Sequence, residues 1–216
     1  MQVRIPGPDV DLDGAWMVPQ QACAQVVLAH GAGAGHTHKN MLAIAEAFAA
    51  QSVASLRFNF PYMQEGKRRV DATPRAVAAI AEAVSFARAA HDLPLFVGGH
   101  SFGGRMVSHA AAERAFACEG LVFCSFPLHP PKKPDTKRAA HLGEIAEPML
   151  FLSGERDELA NPDLLRGVVA SLPRARLHWL ETANHSYAVL KRTRKNPLDV
   201  FAEIALTARA FIDEVL

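Results

Sequence analysis

Short apolar blocks alternate along this chain with longer stretches of helical spacing. Val26–Ala29, Leu95–Gly98, Leu121–Cys124 and Met149–Leu152 are apolar runs bounded by turn residues, the pattern of strands buried on both faces. Val53–Phe60 reads as another strand, stopped by Pro61, and Arg176–Leu180 as the last. Weaker strands are expected at Gln2–Ile5 and Ala15–Val18. Between the strands, Met41, Leu42, Ile44, Ala45 and Phe48 recur at helical spacing. Pro74 opens an Ala-rich helix to about Ala90, a position that suits proline. Further helices are expected over Ser101–Phe116, Pro162–Ser171 and Leu198–Leu216.

Strand–helix alternation from Val26 onward implies parallel strands joined by crossover helices. The expected fold class is therefore α/β, with a central, mostly parallel sheet of about eight strands and helices on both faces. Such sheets bind ligands at the carboxyl ends of their strands. Two long loops interrupt the pattern. Asn59–Thr73 carries Lys67, Arg68 and Arg69, and Ser125–Ala140 carries four prolines with Lys132, Lys133, Lys137 and Arg138. Neither has the length of a cap domain, so residues 1–216 are expected to form one domain.

Composition narrows the function classes. Half of the 216 residues are apolar and 21% are charged, ample material for a core. The 23 Lys and Arg against 22 Asp and Glu leave a formal +1, which argues against a general nucleic-acid binder. Cys23, Cys118 and Cys124 are odd in number and unrelated in spacing, matching neither a disulfide framework nor a zinc site. They read as buried thiols in a reducing compartment. No segment has the roughly 18 unbroken apolar residues of a membrane span, and Met1–Gly14 lacks the apolar core of a signal peptide. A cytoplasmic location is expected.

The chemistry concentrates in Gly99-His100-Ser101-Phe102-Gly103. This G-x-S-x-G turn directly follows a strand and precedes a helix, where a nucleophilic serine is pushed out over the sheet. The turn is not a phosphate loop, since no lysine follows its glycines, and His30–Gly35 spells G-x-G-x-G, not G-x-G-x-x-G. The serine needs a base and an orienting acid, in chain order Ser, Asp or Glu, then His. Asp157 follows the strand Met149–Leu152, and His185 follows Arg176–Leu180. Glu155 and Glu158 are the rival acids. His178 reads as a packed or edge side chain, and His100 as pointing away from the nucleophile. His36 and His38 suggest a metal pair only faintly, without a third ligand, so no metal site is assigned. Two backbone amides should hold the oxyanion: that of Phe102, after the nucleophile, and that of Ala32 in the loop His30–Gly33. Phe60, Tyr62 and Met63 fall near a strand end, either lining an acyl pocket or packing in the core. The basic loops, and the run Lys191–Lys195, read as solvated surface or as attraction for an anionic substrate or partner.

Together His-Gly-Ala-Gly-Ala-Gly, Arg-Phe-Asn-Phe-Pro-Tyr-Met, Gly-His-Ser-Phe-Gly-Gly-Arg and Phe-Pro-Leu-His-Pro-Pro resemble the α/β-hydrolase superfamily, in its small, lidless, dienelactone-hydrolase-like subfamily. The resemblance spans nearly the whole chain. It implies an α/β-hydrolase fold and a Ser-His-Asp triad, here Ser101, His185 and Asp157. True dienelactone hydrolases use a cysteine where this chain has Ser101. The leading expectation is hydrolysis of a small-molecule carboxylic ester or thioester through an acyl-enzyme, with no metal or organic cofactor. The subfamily also includes members with non-catalytic roles in complexes, so an interaction module on the same fold is a second expectation. Acyl transfer to an acceptor other than water is a third.

Overall fold

Alternate residues of the central strands face two different cores. The computed structural model describes residues 1–216. Its strands are β1 (Gln2–Ile5), β2 (Leu12–Met17), β3 (Ala24–Ala29), β4 (Val53–Phe58), β5 (Leu95–His100), β6 (Gly120–Cys124), β7 (Met149–Gly154) and β8 (Ala175–Leu180). The helices are α1 (Lys39–Ala50), α2 (Pro61–Gln64), α3 (Thr73–Ala90), α4 (Phe102–Ala112), α5 (Pro162–Ala170) and α6 (Val200–Val215). Leu121, Phe123, Met149 and Phe151 face one core, with α3, α4 and α5. Val122, Cys124, Leu150 and Leu152 face the other, with α1 and α6. The period of two along each strand sorts the side chains to the two faces, and both faces are covered, which accounts for the unbroken apolar runs.

The eight strands form one sheet in the order β1-β2-β4-β3-β5-β6-β7-β8. β2 pairs antiparallel with both β1 and β4, and every other pairing is parallel. From β3 the chain steps to β4 on one side, then crosses back to β5 on the other. The carboxyl ends of β3 and β5 therefore flank the point where strand order reverses, the usual ligand crevice of an open α/β sheet. No cap domain stands over it. No helix is long and apolar enough to cross a membrane.

Several element boundaries differ from the sequence pattern, and α2 falls in what reads as a loop; three of the differences have a clear backbone reason. β4 ends at Phe58, because the next donors leave the β3 ladder: Asn59 N–H goes to the Asp13 carbonyl (2.8 Å) and Phe60 N–H to the His30 ring (3.0 Å). Pro61 then starts α2. α4 stops at Ala112, short of Phe116. Arg114 is left-handed (φ 55°), with Arg114 N–H on the Ala111 carbonyl and Ala115 N–H on that of Ala110, both at 2.9 Å. That is a Schellman close, hidden in the sequence because the left-handed residue is not glycine. β2 starts earlier than expected, at Leu12, because it pairs on both sides with β1 and β4.

Candidate active site

Ser101 sits between β5 and α4 in a strained conformation (φ 53°, ψ −117°), a cost that persists only where the surroundings impose it. Close packing imposes it here. A Cβ on Gly103 would lie 2.3 Å from the Ala29 carbonyl oxygen, and one on Gly99 2.7 Å from the same atom. Only glycine lets the start of α4 approach the end of β3 this closely.

Side chains from two loops, after β7 and after β8, converge on this turn. His185 Nε2 lies 2.8 Å from Ser101 Oγ. His185 Nδ1 lies 2.9 and 2.8 Å from Asp157 Oδ1 and Oδ2. A carboxylate only accepts, so Nδ1 carries the proton and Nε2 is left to accept from the serine hydroxyl. Asp157 has no exposed side-chain surface, and its Oδ1 also accepts from Leu159 N–H (2.8 Å). The rival acids are elsewhere: Glu155 is exposed and accepts from Thr182 N–H, and Glu158 is exposed. His178 pairs with Glu203 at 2.8 Å on the edge strand β8.

Both expected oxyanion donors border the cavity that contains Ser101. Phe102 N–H opens α4, where an amide has no intrahelical acceptor. In the β3 loop, Gly33 N–H donates to Tyr62 Oη (3.3 Å) and Ala34 N–H to the Gly31 carbonyl (3.2 Å). Ala32 N–H is the amide of these three without a partner inside the chain.

Of the two readings of Phe60, Tyr62 and Met63, the structure fits core packing, and none of the three lines the Ser101 cavity. The Ser101 cavity, about 300 Å³, has Val70, Phe102, Pro127, Pro131 and Leu159 as its apolar wall and Arg105 and Arg138 as its charged one. Phe60 and Tyr62 are buried behind it, edge-on to the Phe102 ring at 5.4 and 6.3 Å. Met63 packs near Gly35. The turn into α2 carries these side chains inward, so they support the site from beneath. Burial raises the Tyr62 phenol above its ordinary pKa, keeping its oxygen a neutral acceptor for Gly33.

Two histidines outside the hydrogen-bonded chain shape it. His100 does not point clear of the site, as its place beside Ser101 suggested. Its ring packs on the His185 ring (5.5 Å) and its Nε2–H donates to the His185 carbonyl (3.1 Å). Gly31 makes room for it, since a Cβ there would meet His100 Nδ1 at 2.9 Å. Burial, then the neighbouring His185, push His100 down to about 4. His30 is fully buried. Its Nε2 accepts from Phe60 N–H, so Nδ1 carries the proton and donates to the Gly31 carbonyl (2.8 Å). His36 is bound to Asn59 (3.0 Å) and His38 caps α1, so neither is arranged with the other around a common centre. Cys124 lies beneath the nucleophile turn, but burial pushes its thiol up to about 12, and thiolate is the reactive form.

Burial also drives His30 from 6.5 down to about 4. Between these values the unfolded chain binds a proton that the folded chain refuses, so acid favours unfolding. Stability is therefore expected to fall as pH drops below 6.5, by ~3 kcal/mol at pH 4 from this residue. Thermal midpoints recorded from pH 7.5 to 4.5 test this. His30→Gln should melt lower at neutral pH but lose less on acidification; an unchanged slope would remove His30 as the cause.

A lidless doubly wound sheet with a serine, a histidine and an aspartate joined at its carboxyl edge defines the α/β-hydrolase class. Residues 22–213 match the alpha/beta hydrolase domain family, and the chain belongs to that family. Solved structures agree on the fold. The chain is similar to Est1E from Butyrivibrio proteoclasticus, solved with ferulic acid bound: TM-score 0.79, 16% identity, 98% of each chain covered. It is similar to a dienelactone hydrolase from Anabaena variabilis: TM-score 0.73, 20% identity, 99% of this chain and 96% of that one. It is also similar to a lidless α/β serine hydrolase from Xanthomonas campestris: TM-score 0.70, 18% identity, 100% of this chain and 92% of that one.

Proposed function

We propose that the protein is a serine hydrolase that cleaves a carboxylic ester or thioester. The observation that carries this reading is the hydrogen-bonded chain Ser101–His185–Asp157, with links of 2.8 to 2.9 Å, opening onto a cavity. Ser101 Oγ attacks the carbonyl carbon while His185 Nε2 takes the hydroxyl proton. Asp157 holds the imidazole and stabilises the imidazolium that forms. The amides of Phe102 and Ala32 donate to the oxyanion, aided by the positive end of α4. His185 returns the proton to the leaving oxygen or sulfur as the tetrahedral intermediate collapses to the acyl-enzyme. Water, deprotonated by the same imidazole, then attacks the acyl carbonyl and releases the acid and Ser101.

An accessible Ser101 beside a cavity favours this reading over an interaction module. Labelling with a fluorophosphonate probe tests it. Wild type is expected to label and Ser101→Ala to remain unlabelled with an unchanged circular dichroism spectrum. Absence of labelling in folded wild type would overturn the assignment. Product analysis with added alcohols and thiols separates hydrolysis from acyl transfer.

A further inference from the structure

Two guanidinium groups in the Ser101 cavity have no acid to answer them. Arg105 comes from the first turn of α4, and Arg138 from the 3-10 turn Lys137–Ala139 in the long loop after β6. Other enclosed arginines in this chain are partnered. Arg194 pairs with Glu203 and Arg75 with Asp71 and Glu65; Arg57 has no acid partner and a buried Nε without a hydrogen bond, but its Nη1 donates to the His36 carbonyl. Arg105 Nε is buried and makes no hydrogen bond. Burial, then the Arg138 charge, lower the Arg105 pKa from its ordinary value, and no carboxylate opposes them. The stacked rings of His109 and His141 (3.8 Å) are held toward neutrality by burial and by Arg105. They supply no counter-charge.

Both arginines are half-buried, and like charges drawn partly out of water without a counter-ion carry a cost that a bound anion removes. A cavity of about 300 Å³ with an apolar wall and a few converging polar groups is the form of a small-molecule site. We propose that the substrate is a small ester or thioester carrying a carboxylate away from the scissile carbonyl, and that Arg105 and Arg138 bind this carboxylate. Guanidinium forks match the two oxygens of a carboxylate, and the charge-assisted bonds gain strength where water is excluded. Lys132, Lys133 and Lys137 are exposed on the same loop as Arg138 and add to its positive charge. The ester part of this proposal rests on the serine-hydrolase reading; the anion site stands on the arginines alone.

Two matched ester pairs and one binding titration test both parts. The first pair is the mono-p-nitrophenyl ester of glutaric acid against p-nitrophenyl pentanoate, with the charge on the acyl side. The second is para-acetoxybenzoate against its methyl ester, with the charge on the leaving group. In one pair kcat/KM is expected to favour the anionic member about tenfold to hundredfold. The preference should shrink with added salt and collapse toward unity in Arg105→Gln and Arg138→Gln. Equal or better use of the neutral member in both pairs would overturn the proposal. In calorimetry, glutarate is expected to bind Ser101→Ala and to lose about tenfold in affinity on adding Arg138→Gln. No glutarate binding, or binding of inorganic phosphate in its place, would overturn the carboxylate site. Arginine-dependent glutarate binding without turnover of any ester would leave the anion site standing and overturn the hydrolase reading.

Discussion

Asp157→Asn is expected to lower ester turnover about ten-thousandfold in a protein that still folds. The substitution keeps the shape of the side chain. It changes which atom holds the proton. Both Asp157 oxygens lie within 2.9 Å of His185 Nδ1, and the carboxylate obliges that nitrogen to carry hydrogen. An amide can present its NH2 group there instead, which makes Nδ1 the acceptor and moves the hydrogen to Nε2. That nitrogen faces Ser101 Oγ at 2.8 Å and must accept the hydroxyl proton for attack to occur. The Asp157 charge that stabilises the imidazolium is lost as well. The check is kcat for a p-nitrophenyl ester beside a thermal melt. A loss smaller than tenfold would show that another acid serves the histidine.

Gly103→Ala is expected to destabilise the protein by ~3 kcal/mol or more and to abolish fluorophosphonate labelling. The added Cβ would fall 2.3 Å from the Ala29 carbonyl oxygen, 2.5 Å from its carbon and 2.6 Å from the His30 carbonyl oxygen. All three are backbone atoms of the β3 end, so no rotamer change relieves the contact. α4 must move away from the sheet, taking Ser101 and Phe102 with it. Gly167→Ala is the matched control. It lies in α5 with open space around its Cβ position, so the same change should stabilise by ~0.5–1 kcal/mol. Urea midpoints for the two variants give the comparison directly, and equal behaviour would discredit the packing argument.

Much of this architecture was legible because it is periodic. Apolar blocks such as Leu121–Cys124 and Met149–Leu152 mark strands covered on both faces, and the helical stretches between them imply parallel pairing. Once the strands are parallel, their carboxyl ends share one edge. Ser101, Asp157 and His185 each follow a strand, so chain order already brings them to that edge. The lining of the cavity was less legible. Phe60 and Tyr62 have the composition of a pocket wall, but the turn into α2 sends them under Phe102. Arg105 and Arg138 read as ordinary charges on a helix and a loop. Their significance depends on what does not face them, and a missing counter-ion has no local signature. His100 was hidden in the same way, since its partner His185 lies far along the chain.

The chain by itself determined the strands, their order of appearance, the strained serine turn and the chain order of serine, acid and base. These depend on residue periodicity and on neighbours a few positions apart. The tertiary structure alone decided which amides near the serine lack partners, which side chains wall the cavity and which charges stand unpaired. Those are properties of groups brought together from distant segments, where hydrogen bonds are exclusive and an ion pair needs both members within a few ångströms.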